Sequence, residues 1–262
     1  MRKSKIYSLC LVLIVCTVCQ AQRLDIKPYI LYHQSVSSQE PPAFYFMGFI
    51  VTTTPTAILL NENFTLATGL EYGFTIDYTF HNQLGIELGL GYFSSTQSNL
   101  FKDKELKLTA DWDYRSIAIR PLFSYAVITG KSTFIGKIGP TIHYTLATIN
   151  GSYGKQKLPS CTFANKLNWG YLIGLEYNYQ LSERLTLAAE LGFEHYRYTP
   201  NKATVEDNGK KVKEIIYVNK IIQESIVSQD PQSLLQEKRL KGTVLFNSIY
   251  FGIGVKYKLW KK

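Results

Sequence analysis

The chain has 262 residues, enough for one modest barrel or two small soluble domains. It is 14% aromatic with 19 tyrosines, and its formal charge is +9. Beyond the N-terminus no run reaches the roughly 20 apolar residues of a membrane helix, so a helical membrane protein is excluded. A secreted chain with no basic aromatic motif also gives no reason to expect nucleic acid as a partner.

The N-terminus predicts a secretory signal over residues 1–21, cleaved after Ala21, with residues 22–262 forming one domain. Arg2, Lys3 and Lys5 make a basic start, Ile6 to Val18 an apolar core, and Cys19-Gln20-Ala21 a small-residue exit. Cys16 and Cys19 each follow a valine, which does not suit lipid attachment. With the signal removed the charge falls to roughly +6, and Cys161 is left as a single cysteine outside any disulfide framework. The surplus charge reads as solvated loop lysines or as attraction to anionic headgroups.

Asp25–Gln34 is the first expected strand, with Ile26, Pro28, Ile30 and Tyr32 opposing Asp25, Lys27, Tyr29 and His33. A long connection, about 35–63, follows; its apolar piece Ala43–Val51 could pair locally. Thr65–Tyr92 predicts a hairpin around His81-Asn82-Gln83. Its apolar face carries Leu70, Tyr72, Phe74, Ile76, Leu84, Ile86, Leu88 and Leu90, and its other face Glu71, Asp77, Glu87 and several glycines. After a loop at about 94–111, Trp112–Val127 and Thr133–Ala147 form a pair around Thr129-Gly130-Lys131. Arg120, Lys137 and His143 fall on the polar side of that pair.

A loop at about 148–167 leads to Trp169–Leu181 and Leu185–Tyr198, joined at Ser182-Glu183-Arg184 and bearing Glu176, Glu190 and Glu194. The long charged stretch 200–245 precedes the last strand, Phe246–Trp260, with Lys256 on its polar side. Within it KVKEIIYVNKII reads as a strand or a short helix.

Eight strands with connections that alternate long and three-residue predict an all-β fold: an eight-stranded antiparallel up-and-down transmembrane β-barrel with short periplasmic turns and long external loops. Trp112, Tyr125, Trp169, Tyr179 and Trp260 are expected at the membrane interfaces. A soluble ligand-binding barrel would carry the same alternation with its faces reversed, and parity alone does not choose between them.

The signal ending Gln-Ala-Gln, the segments GLEYGFTIDYTFHNQLGIELGLGY and LAAELGFEHYRYTP, and VKEIIYVNK, SQDPQ and SIYFGIGVKYKL together resemble the small outer-membrane β-barrel domain proteins of Bacteroidetes-type bacteria, with OmpA/OmpX-like architecture. The resemblance implies location and fold, and assigns no catalytic residue.

In a barrel of eight strands the interior is filled by side chains. Glu71, Asp77, Glu87, Arg120, Lys137, His143, Glu176, Glu190, Glu194 and Lys256 are therefore expected to pair as a lumen network. The functional expectation is a non-enzymatic outer-membrane protein, structural or surface-binding through its external loops, with small-solute or ion transport as the alternative. A lipid-modifying enzyme is the third reading and would need a Ser or Thr within reach of His195. No cofactor is expected, and the scattered His33, His81 and His143 give no metal spacing. Expected partners are outer-membrane lipid and lipopolysaccharide, and an extracellular protein or glycan.

Overall fold

Long runs of β-branched and aromatic residues at period two can satisfy their backbone only by pairing with neighbours, and closing the sheet removes its edges. The computed structural model describes residues 23–36, 68–80, 83–103, 108–153, 155–207, 209–218, 236–240 and 244–261. The barrel strands are β1 (Arg23–Ser35), β2 (Gly69–Thr79), β3 (Leu84–Asp103), β4 (Leu108–Thr129) and β5 (Ser132–Tyr153). A two-residue β6 (Gln156–Lys157) precedes β7 (Ser160–Gln180) and β8 (Leu185–Tyr198). Then come β9 (Lys202–Asp207), β10 (Lys210–Val218), β11 (Gln236–Leu240) and β12 (Val244–Lys261).

Antiparallel pairing runs β12–β1–β2–β3–β4–β5–β7–β8 and returns to β12, closing eight strands into a barrel. The β4–β5 turn is two residues, Gly130-Lys131, with Gly130 at φ +61°, where a side chain would be strained. Ala43–Val51 and His81 lie outside the described residues.

The outward face of the wall is the apolar one. Leu88, Leu90, Ile117, Phe123, Leu175, Leu191, Phe251 and Ile253 are all exposed, forming an apolar belt, while Lys27, Glu71, Arg120, Lys137 and Glu176 are buried inside. A belt of this extent is the lipid-facing surface of a transmembrane barrel. Tyr125, Trp169 and Tyr179 are exposed on it. Trp112 is not: it points inward, 2% exposed, and stacks on Phe163 at 5.6 Å. It shares its parity with Tyr114, Ser116 and Arg120, and the strand continues upward without a break, so the alternation carries it to the inside.

The expected loops also differ. Much of 94–111 and 148–167 is strand, because β3, β4, β5 and β7 each run 20 to 22 residues, well past the roughly 9–11 that cross a bilayer. Part of 200–245 is strand as well. β8 breaks at Pro200, which has no N–H to donate, and β9 then pairs with the outer part of β7; β10 and β11 add to that edge. KVKEIIYVNKII begins as strand, in β10. The outer end of the barrel thus carries a sheet extension beyond the membrane.

Candidate functional site: the occluded interior

Inward-facing residues stack in layers from the short-turn end to the outer end. At the turn end a vestibule of about 500 Å³ opens between Asp25, Asp77, Glu87, Asn178, Thr186 and Lys256. It closes upward on three lysines and four carboxylates. Lys27 reaches Glu176 at 2.5 Å and Glu190 at 2.7 Å. Lys137 pairs with Glu87 at 2.5 Å, with Glu176, and with Glu190 at 3.2 Å. Lys256 spans Asp77 at 2.6 Å and Glu176 at 2.5 Å. Glu176 therefore receives all three lysines, and Asn178 adds an amide hydrogen bond at 2.7 Å. Such charges persist away from water only because each is paired and hydrogen-bonded.

Above them lies a small apolar layer of Tyr29, Leu31, Leu122, Leu172 and Tyr250. The two tyrosines point their hydroxyls at charge: Tyr29 donates to Glu71 at 2.8 Å and Tyr250 to Glu190 at 3.1 Å. The wall makes room for this. A Cβ on Gly192 would sit 2.4 Å from the Tyr250 hydroxyl, and one on Gly91 would sit 2.3 Å from Glu71 Oε1.

The next layer is built on Arg120. Its guanidinium forks to Glu194 through Nε and Nη2, both at 2.9 Å, and to Glu71 through Nη1 at 2.5 Å and Nη2 at 2.7 Å. A planar fork between two carboxylates uses the bidentate geometry that arginine offers and lysine does not. Each carboxylate also meets a histidine: His33 Nε2 is 3.3 Å from Glu71 Oε2, and His143 Nε2 is 3.2 Å from Glu194 Oε1.

The outer end is shut by rings. His143 stacks on Tyr196 at 3.7 Å, Tyr196 on Phe246 at 4.6 Å, and Phe246 on Tyr114 at 4.5 Å. The Tyr114 hydroxyl meets those of Tyr196 at 2.8 Å and Thr145 at 3.1 Å. Ala147, Ile149, Cys161, Phe163, Ala203 and Val205 are buried beyond them, under the extension.

All ten residues expected in the lumen lie on the inward face; nine are buried and Glu190 is half-buried. They divide between two layers. Sequence reasoning did not single out Tyr29, Tyr114, Tyr196 and Tyr250, whose one signal was parity with the charged positions. His195 faces outward at the outer rim, against Tyr171 at 5.1 Å, and its Nδ1 bonds the Asn247 side chain. That contact is an amide and supplies no nucleophile.

No family model matches this chain, and no curated protein matches it. Among the solved structures that share its shape are two outer-membrane proteins. A major outer membrane protein from Thermus thermophilus aligns with a TM-score of 0.52 at 10% identity, over 90% of this chain and 98% of that one. The outer membrane protein OprG from Pseudomonas aeruginosa aligns with a TM-score of 0.50 at 13% identity, over 92% and 97%. At such identities the likeness is one of fold: an outer-membrane type eight-stranded barrel.

Proposed function

We propose that this chain is a non-enzymatic outer-membrane protein, exported by its N-terminal signal, that anchors a binding surface outside the cell. One observation carries the reading. The barrel interior is filled layer upon layer by ion pairs and stacked rings, while its strands overshoot the membrane and recruit β9–β11. A filled eight-stranded barrel is a rigid anchor, and extended strands above it are a platform. Outer-membrane lipid and lipopolysaccharide are the surroundings expected for the apolar belt. The sequence resemblance supports a kinship with the small barrel proteins of Bacteroidetes-type bacteria.

On the platform, a groove of about 550 Å³ is lined by Asp111, Asn150, Ser152, Lys157, Glu206 and Asp207. Carboxylates, amide and hydroxyls in one groove suit an extracellular glycan or a polar protein surface. The test compares cells displaying the full chain with cells displaying a variant in which residues 199–243 are replaced by a short Gly/Ser turn. Val244 already pairs with Tyr198, so a turn can close there. The reading expects binding to glycan arrays or surface proteins by the full chain alone, from barrels that both shift on boiling in SDS gels. Equal binding by the two chains would overturn it.

The vestibule favours a second reading, passage of a small solute or ion from the turn end. It requires Lys27, Lys137, Glu176 and Glu190 to part. Steady single-channel conductance in planar bilayers would establish it over the first.

A further inference from the structure

The charges buried inside the barrel do not balance. Asp25 is matched by Arg23 at 2.6 Å at the rim. Below the apolar layer Lys27, Lys137 and Lys256 face Asp77, Glu87, Glu176 and Glu190 beside the open vestibule, which Lys258 also lines. Above the apolar layer Arg120 faces both Glu71 and Glu194, a formal deficit of one positive charge in that layer when the histidines are neutral. Low-dielectric surroundings make such a deficit costly.

One place inside the barrel is built to receive the missing charge. The His33 ring is 2% exposed and packs against Phe93 at 5.2 Å and Tyr250 at 5.4 Å. Its Nδ1 lies 3.1 Å from Ser248 Oγ. With the proton on Nδ1 and donated to that hydroxyl, Nε2 presents a lone pair. That Nε2 has no hydrogen-bond partner, yet it stands 3.3 Å from Glu71 Oε2. In that tautomer two electron-rich atoms face each other, and a cation between them would satisfy both.

The surrounding geometry suits a metal ion. Donor atoms of His33, Glu71 and Glu194 all lie within 4.8 Å of one another. A cavity of about 10 Å³ opens among them, bounded also by His143, Tyr196 and Ser248, with room for a single small occupant. For a tetrahedral ion with bonds of about 2.0–2.1 Å the ligand–ligand edge is about 3.3 Å, the separation seen between Nε2 and Oε2.

We propose that His33, Glu71 and Glu194 hold one divalent transition-metal ion inside the barrel, zinc being the best match to an imidazole and two carboxylates. Its charge offsets the deficit of the Arg120 layer. Ser248 is the outer partner of the ring, and Arg120 holds both carboxylates in place through shared oxygens. The aromatic layer above and the apolar layer below bar entry to a finished barrel, so the ion is acquired as the barrel closes. The donors come from β1, β2 and β8, separated in sequence and joined only by closure, which is why no histidine spacing announces them.

The experiment refolds the full-length mature chain into mild detergent with Zn²⁺ present, removes surface metal with a chelator, and counts retained zinc. The proposal expects one ion per chain and a zinc K-edge spectrum showing imidazole and carboxylate ligands. His33→Gln should lose the ion, and Ser248→Ala should weaken retention about 10–100-fold. His195→Ala, at the outer rim, should retain it. A folded wild-type chain without zinc, an all-oxygen shell, or full retention by His33→Gln would each overturn the proposal. The first of these would mean that protons make up the deficit. Should His33→Gln fail to give a heat-modifiable barrel, the wild-type ligand shell alone decides.

Discussion

Arg120 is the residue on which the upper interior depends, because its guanidinium pairs with both Glu71 and Glu194. Arg120→Met leaves two buried carboxylates without their common partner and should cost about 3–5 kcal/mol, read as a lower urea midpoint in detergent. Lys at this position cannot fork to two carboxylates, so Arg120→Lys should recover only part of that loss. Gly91→Ala acts on the same group from the wall. Its methyl would stand 2.3 Å from Glu71 Oε1 and 2.8 Å from Arg120 Nη1, so the ion pair must shift. On the opposite face, Leu191 is 54% exposed in the middle of β8. Leu191→Arg places a charge in hydrocarbon and should destabilise by about 2–4 kcal/mol in bilayers. In a soluble barrel the same change would be nearly silent, so this measurement also tests the orientation of the wall.

Among the elements, the β9–β10 hairpin is the piece held by surface electrostatics. Glu214 accepts hydrogen bonds from Lys202 at 2.5 Å and from Lys211, which hold its carboxyl below the ordinary glutamate range. A carboxyl whose folded pKa is depressed stabilises the hairpin fully at neutral pH and gives that up as pH falls through the folded value. Protection of β10 amides from exchange should therefore be flat near neutrality and decline on acidification, with a smaller effect at high salt. Glu214→Gln should remove the pH dependence. Pro200 explains why this hairpin exists apart from β8: the backbone cannot continue its ladder there, and the chain restarts beside β7.

For the whole molecule, the lysine cluster, the apolar layer and the stacked rings in series imply a closed barrel. Planar-bilayer recordings on the wild type should show no steady conductance. Replacing Tyr114, Tyr196 and Phe246 by alanine removes the outer stack yet leaves the lysine–carboxylate layer, so it too should stay closed. Opening in that variant would place the only seal at the outer end. A shift between unboiled and boiled samples on SDS gels checks folding in every case.

Much of the wall was legible along the chain. Parity at Leu70–Phe80 and Leu84–Tyr92 gave strands, the three short turns gave the hairpins, and the charged positions fell together on one face. These are local properties, set by the two-residue period of the pleat. Parity is silent on which side encloses space, and only closure of β12 onto β1 and β8 put Lys137 inside and Leu191 outside. Composition misled where strands continued past the membrane. Polar and glycine-rich stretches such as 148–153 read as loop, yet neighbouring strands satisfy their backbone. Trp112 was misplaced for the same reason. The pairing of His33 with Glu71 and Glu194 was beyond any sequence argument. It joins residues up to 161 positions apart in numbering, and only the circumference of a closed barrel brings them together.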